Sequence, residues 1–71
     1  MPLSIVQAGI KVRLISVDSG CDLQNRLTAM GLIPGVEIKV LKHSMHGPLI
    51  IEVKGSRIML GRGMAQKILV G

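Results

Sequence analysis

The most conspicuous absence from this sequence of 71 residues is that of Phe, Tyr and Trp. Proteins usually hold single-stranded nucleic acids by stacking the bases on aromatic rings, and proline-rich peptides dock in aromatic-lined grooves. The chain offers no such ring for either ligand. We predict that it does not bind nucleic acid, although its positive charge keeps salt-dependent binding to phosphates as a competing hypothesis.

Cysteine and long apolar runs are also scarce. Cys21 is the only cysteine, so no disulfide can form within the chain, which is typical of a reducing compartment. No apolar run exceeds three residues, and the N-terminus lacks the basic and apolar regions of a signal peptide. The length fits one domain over residues 1–71. We therefore expect a single-domain cytoplasmic protein that is not inserted into a membrane.

Acidic residues are few, since four Asp and Glu stand against nine Lys and Arg, for a net charge of +5. Such an excess favours an anionic partner, such as an acidic protein or a phosphate-bearing surface. Most of the basic residues are predicted at outward strand or loop positions, among them Lys39, Lys42, Lys54, Arg57, Arg62 and Lys67.

What the sequence does contain is a strong local pattern that ends a helix. Leu23, Leu27 and Met30 recur at helical spacing, so one helix face is apolar. Gly31 follows at the point where a helix commonly ends in the left-handed conformation, and Leu32 would then pack on Leu27 in a Schellman cap. This pattern predicts an abrupt helix stop.

A turn is predicted directly after that stop. Pro34 and Gly35 suit the two central positions of a type II turn, because proline fixes a negative φ and glycine accepts a positive one. The chain would then enter a strand at Val36.

Alternation of charged and apolar residues predicts five short strands around this helix. The strands are expected at Lys11–Val17, Val36–Lys42, Leu49–Val53, Arg57–Leu60 and Ile68–Val70, and the helix at Cys21–Met30. Many short strands with tight turns favour closure into a barrel, which removes exposed sheet edges. We predict a mainly β fold, a small five-stranded barrel with one helix inserted after the first strand.

Local sequence signals also predict how several elements begin and turn. Near the first helix we expect a capping box of Ser4 and Gln7 on a turn over Leu3–Gln7, an N-cap at Ser19 with Asp22, and an Asp22–Arg26 ion pair. Further along we expect a type II′ hairpin turn at Gly55-Ser56, a break at Gly61-Arg62-Gly63 with Arg62 facing solvent, and one helical or 3₁₀ turn over Met64–Lys67.

The run Arg26-Leu27-x-x-Met30-Gly31-Leu32-x-Pro34-Gly35 strongly resembles the signature of the FeoA (ferrous iron transport protein A) family. The similarity continues nearly to the end of the chain, through Ile38-x-Val40, Gly47-Pro48-Leu49-x-Ile51-x-Val53-x-Gly55, Leu60, Ala65, Ile68 and Val70. The resemblance implies an SH3-like barrel. It also implies a cytosolic, non-enzymatic accessory of the membrane ferrous iron transporter FeoB, whose N-terminal part is a GTP-binding domain. The motif residues expected to have structural roles are Leu27, Gly31, Leu32, Pro34, Gly35 and Gly55.

One loop contains His43, Met45 and His46, residue types that bind transition metals. A metal site needs three or four ligands, and the others would have to come from distant residues such as Cys21, Asp22 or Glu52. We therefore predict no metal site and no cofactor, with His43 and His46 as the weak candidates for Fe²⁺ or Zn²⁺.

Cys21 stands near a helix start, where a thiol pKa can be lowered. No base adjoins it in sequence, so we expect a half-buried structural cysteine rather than a nucleophile. Neither this residue nor any other set of side chains suggests an active site, and we predict that the chain is not an enzyme.

Ile50, Met59 and Leu69 are apolar residues at outward strand positions. Next to Arg57 and Arg62 they would form an apolar centre with a basic rim, as protein interfaces often have. We predict a partner-binding surface of Ile50, Arg57, Met59 and Arg62.

Two functions follow as hypotheses. The first is an accessory protein of bacterial ferrous iron uptake that docks on a FeoB-type transporter at the inner face of the membrane, with its GTP-binding domain as the candidate contact, and modulates Fe(II) transport or GTP hydrolysis. The alternative is a direct metal-binding carrier or sensor that uses the loop histidines.

Overall fold

Five antiparallel strands form one curved sheet in the order β4-β3-β2-β1-β5 in the computed structural model, which describes all 71 residues. The elements run 3₁₀ helix Leu3–Ile5, β1 Lys11–Val17, α1 Cys21–Ala29, β2 Glu37–Lys42, β3 Leu49–Val53, β4 Ser56–Leu60, α2 Arg62–Lys67 and β5 Ile68–Val70. The predicted five-stranded architecture with a helix after the first strand is confirmed. A second helix, α2, joins β4 to β5.

One aliphatic core fills the inside of the curved sheet. Alternate strand residues point into it, and the 3₁₀ helix, α1 and α2 each add a buried side chain. The core consists of Leu3, Val6, Val12, Leu14, Leu27, Leu32, Val36, Ile38, Val40, Leu49, Ile51, Val53, Leu60, Ala65, Ile68 and Val70. The buried apolar surface of the core thus comes mainly from Ile, Leu and Val, whereas in many other proteins aromatic side chains contribute part of it.

The end of α1 has the predicted cap. Gly31 has a φ of +90°, the Leu32 amide donates to the Leu27 carbonyl at 2.8 Å, and the Gly31 amide donates to the Thr28 carbonyl at 3.0 Å. These two bonds are the pair that defines a Schellman motif. Leu27 and Leu32 are both buried, whereas Met30 is 40% exposed and contributes less to the apolar helix face than its spacing predicted.

The type II turn is also confirmed. The Val36 amide donates to the Ile33 carbonyl at 3.1 Å, and Gly35 has a φ of +88°. The turn is joined to β1 on both sides, because the Gly35 amide donates to the Leu14 carbonyl at 2.7 Å and the Leu14 amide donates to the Val36 carbonyl at 3.0 Å. The stop of α1 and the start of β2 are therefore one hydrogen-bonded unit with β1.

The hairpin between β3 and β4 differs from its prediction by one residue. Its central residues are Lys54 and Gly55, with φ values of +51° and +81°, and Val53 pairs with Ser56. Two positive φ values define a type I′ turn, so the predicted type II′ turn at Gly55-Ser56 was wrong. The type I′ turn matches the right-handed twist of the strands, and Lys54 accepts an uncommon backbone conformation to form it.

Two predicted contacts of α1 are absent. Gly20, not Ser19, is the N-cap residue, and no side chain caps the helix. The Gln24 side-chain amide instead donates to the carbonyls of Val17 and Ser19, at 3.2 and 3.0 Å. Asp22 and Arg26 form no ion pair, and the salt bridge in the structure joins Lys11 Nζ to Glu37 Oε1 at 3.8 Å.

The predicted turn near the N-terminus is a 3₁₀ helix, shorter than expected. Pro2 is its N-cap residue and no side chain caps it, so the capping box of Ser4 and Gln7 was wrong. Ser4 is buried, and its carbonyl contacts a histidine described below.

The cap of α1 allows a direct test of how strongly backbone conformation controls this fold. A Cβ on residue 31 would lie 4.0 Å from Val53 Cγ1, so space is available and only the positive φ opposes it. We expect Gly31→Ala to lower the free energy of unfolding by about 1–2 kcal/mol in a urea titration.

Gly63→Ala is the matched control. Gly63 lies in α2 with open space around its Cβ position, so alanine there should raise the free energy of unfolding by up to about 1 kcal/mol. A Gly31→Ala protein as stable as the parent would show that the left-handed cap does not control stability.

Candidate functional site

The surface that stands out lies on the outside of strands β1 to β4. Residues that alternate with the core residues project there, and we call this set the outer sheet face: Lys11, Arg13, Glu37, Lys39, Lys42, Ile50, Glu52, Arg57 and Met59. It carries five cations and two carboxylates, a net charge of +3 out of the chain's +5. The excess charge of the protein is therefore concentrated on one side.

One row of the ladder shows how that charge is arranged. Lys11 lies opposite Lys39, Lys39 lies opposite Glu52, and Glu52 lies opposite Arg57. Two lysines directly opposite each other repel, which disfavours the sheet slightly. The only salt bridge is that of Lys11 with Glu37, so Lys39 and Arg57 have no carboxylate within 4.0 Å. These two cations can therefore attract an external anion.

A shallow groove of about 560 Å³ crosses this face beside the row. Charged side chains dominate its lining, with Lys11, Lys39 and Lys54 against Glu37 and Glu52, and Val36 is its only hydrophobic residue. Such a lining suits charged groups of a partner better than an apolar small molecule.

The apolar part of the outer sheet face lies next to this charge. Ile50 pairs directly with Met59 across the β3–β4 ladder, and Met59 is 68% exposed. Arg57 precedes Met59 by two residues on β4, so its side chain projects from the same face. The structure thus brings together three of the four residues predicted to bind a partner.

The other predicted members lie elsewhere. Leu69 is on β5 at the opposite end of the sheet, paired with Ser16 and bridged to Pro2. Arg62 is the first residue of α2, is half-buried, and donates from Nη1 to the Ser44 carbonyl. The expectation of a solvent-facing Arg62 in a break was wrong, because Gly61 is an N-cap residue and residues 62–67 form a helix.

The two histidines of the loop have different surroundings. His43 is half-buried, and its Nε2 lies 2.8 Å from the Ser4 carbonyl. Because a carbonyl oxygen can only accept, Nε2 carries the proton in this contact. His46 is exposed.

No group of three or more His, Cys, Asp or Glu side chains is placed to share a metal ion. Cys21 is exposed at the first position of α1, so the expectation of a half-buried cysteine was wrong.

The charged row was missed by the sequence analysis, although its signal was present. Each of the four strands β1 to β4 contributes one outward residue to the row: Lys11, Lys39, Glu52 and Arg57. Only the strand order and register show that they form one row, and these come from the tertiary structure.

No helix combines the length and apolar character needed to cross a bilayer.

These features define a small domain built on one curved five-stranded sheet, with a basic and partly apolar outer face; β4 and β5 do not pair, so the sheet is not closed into a complete barrel. The FeoA domain model matches residues 1–71, and the chain belongs to the FeoA domain family. This is a family of small accessory proteins of ferrous iron transport and not a known enzyme family.

Two of its relatives agree in length as well as in sequence. A protein of Methanocaldococcus jannaschii with the provisional name Fe(2+) transport protein A is 42% identical over 69 residues, covering 97% of this chain and 83% of that protein. A crystal structure of FeoA described as an iron uptake regulatory protein is 37% identical, with a TM-score of 0.93 over 99% of this chain and 93% of that one.

The zinc complex of Stenotrophomonas maltophilia FeoA is 25% identical, with a TM-score of 0.86 over 100% of this chain and 89% of that one. That protein is described as a procaryotic SH3 domain protein and a candidate activating factor of ferrous iron transport. The predicted SH3-like fold is thereby confirmed.

Arg62 provides a test of the contact that joins α2 to the histidine loop. Arg62→Gln removes a charged hydrogen bond to the Ser44 carbonyl, and we expect the free energy of unfolding to fall by about 1–3 kcal/mol in urea.

Arg26→Gln is the control, because Arg26 is exposed and forms no ion pair. Its effect should stay within about 0.5 kcal/mol. Equal stability of the two variants would mean that the Arg62–Ser44 bond contributes nothing.

Proposed function

We propose that this chain docks on a FeoB-type ferrous iron transporter and modulates its Fe(II) transport or its GTP hydrolysis. The observation that supports this most directly is the pairing of exposed Met59 with half-buried Ile50 next to Arg57 on the basic outer sheet face. Membership of a ferrous iron transport family supplies the process in which the docking takes place.

The apolar pair suits the centre of an interface. Met59 is 68% exposed, and complete burial of a methionine side chain contributes about 1.5–3 kcal/mol. Methionine also adapts its shape to a partner, because its side chain is unbranched and flexible. Ile50 adds a more rigid apolar surface next to it.

The charge around the pair suits the rim of the same interface. Arg57, Lys42 and Lys39 surround it on β4 and β2, within a face of net charge +3. A complementary acidic surface would speed encounter and orient the two proteins. We place this acidic surface on the cytoplasmic side of the transporter, with its GTP-binding domain as the contact.

Regulation by docking requires a difference in affinity between two states of the transporter. A partner shifts a conformational equilibrium only as far as it binds one state more tightly than the other. A tenfold difference in Kd corresponds to about 1.4 kcal/mol, which is within the range that one buried methionine and its charged neighbours can supply.

Arg57→Gln tests the charged part of this surface. We expect it to raise the Kd for the purified transporter roughly fivefold and to weaken the dependence of binding on salt, since a rim cation is lost. A fluorophore on the single exposed cysteine, Cys21, reports binding by anisotropy.

Arg26→Gln changes the net charge equally but lies on α1, outside the outer sheet face. It should leave the Kd unchanged. If both variants weaken binding to the same extent, overall charge and not this face attracts the transporter, and the proposed docking surface is wrong.

A further inference from the structure

The two edges of the sheet differ. At the β5 edge, the N-terminal residues cover the strand: the Val70 amide donates to the Met1 carbonyl at 2.7 Å, the Met1 nitrogen donates to the Val70 carbonyl at 2.9 Å, and Pro2 bridges to Leu69. β4 forms the other edge, and no strand or helix packs along its outer side. An uncovered edge strand is a template for pairing with another extended chain.

The hairpin geometry identifies the backbone groups that face away from β3. In a two-residue type I′ hairpin the flanking residues, Val53 and Ser56, form a hydrogen-bonded pair. Bonded and non-bonded pairs then alternate, so Ile58 and Leu60 bond to β3 while Arg57 and Met59 direct their amides and carbonyls to the open side. None of the turn, loop or side-chain hydrogen bonds uses these groups. The same two residues project their side chains from the outer sheet face.

β4 has only two of the features that protect an edge, its short length of five residues and the charged side chain of Arg57. It contains no proline and no lysine, its inward residues Ile58 and Leu60 are uncharged, and its five pairs with β3 are consecutive without a bulge. The β1–β5 and β2–β3 ladders, by contrast, each contain an irregularity. The edge of β4 is therefore regular and open over its whole length.

From this geometry we infer that the edge of β4 receives an extended acidic segment of the transporter as an added strand. This inference rests on the proposed function and gives it a binding mode, in which backbone hydrogen bonds supply affinity and alternate side chains supply specificity. The added strand would place an acidic residue beside Arg57 and an apolar residue beside Met59, since neighbouring side chains on one face interact in pairs.

Charge complementarity favours an acidic segment over a second copy of this chain. Each copy carries a net charge of +5, and pairing of two β4 edges would bring two basic faces side by side. Like charges close together oppose such pairing, whereas an acidic strand reduces the charge of the face.

Substitution at residue 59 separates backbone pairing from side-chain contact. Met59→Pro removes an outward amide without breaking a β3–β4 bond, because proline is tolerated where the N–H of an edge strand faces solvent. Met59→Ala removes the same side chain but keeps the amide. We expect the proline variant to bind the transporter at least tenfold more weakly than the alanine variant, measured by anisotropy from a Cys21 label. Equal Kd values for the two variants would overturn strand addition.

Amide hydrogen exchange of the unsubstituted chain gives a readout that does not depend on how the variants fold. In the free protein, the amides of Arg57 and Met59 should exchange quickly, whereas those of Ile58 and Leu60 should exchange slowly. When purified transporter in detergent is added, the exchange of the Arg57 and Met59 amides should slow at least tenfold. If the transporter binds and these two amides stay unprotected, strand addition is wrong while the proposed docking stands. If the transporter does not bind, both are wrong. Protection that grows with the concentration of the chain alone would assign the edge to a second copy instead.

Discussion

The left-handed backbone at Gly31 is the constraint on which the rest of this structure depends. Its φ of +90° ends α1 and, through the turn at Pro34-Gly35, directs β2 alongside β1. That junction fixes the register in which Lys11 lies opposite Lys39. A shift of one residue would exchange the core and solvent faces of β2, so the junction determines both the core and the charge on the outer sheet face.

Local chemistry made the fold predictable, and long-range contacts limited prediction of the site. Glycine and proline at positions 31, 34 and 35 allow few conformations, so the cap and the turn could be inferred from them. The β3–β4 turn was predicted one residue too far along the chain, because nothing in the sequence indicates a positive φ at Lys54. The hydrogen bond of Arg62 with Ser44 joins residues 18 apart in sequence, and that of His43 with Ser4 joins residues 39 apart. Such contacts can be identified only from the assembled tertiary structure.

The residues that build the domain and those that we propose for docking are different sets. The core is entirely aliphatic and uses the inward half of each strand, which leaves the outward half free to carry charge without a cost in packing. Like-charge pairing of Lys11 with Lys39 slightly disfavours folding, yet it would help to attract an acidic partner. The open edge of β4 combines a cost and a benefit in the same way. An unpaired edge exposes an isolated domain to aggregation, but it provides backbone hydrogen-bonding groups to a domain that binds an extended chain.

Methyl NMR of the methionine side chains, recorded with purified transporter and separately with Fe²⁺, would test most directly whether this chain acts by docking through the outer sheet face. Met59 lies on that face, whereas Met30 and Met45 are exposed elsewhere and serve as internal controls. Docking predicts that the Met59 signal alone among these three changes with the transporter and that it does not respond to Fe²⁺. A change at Met30 or Met45 with Met59 unaffected, or a response only to Fe²⁺ at Met45 between the two histidines, would contradict the account.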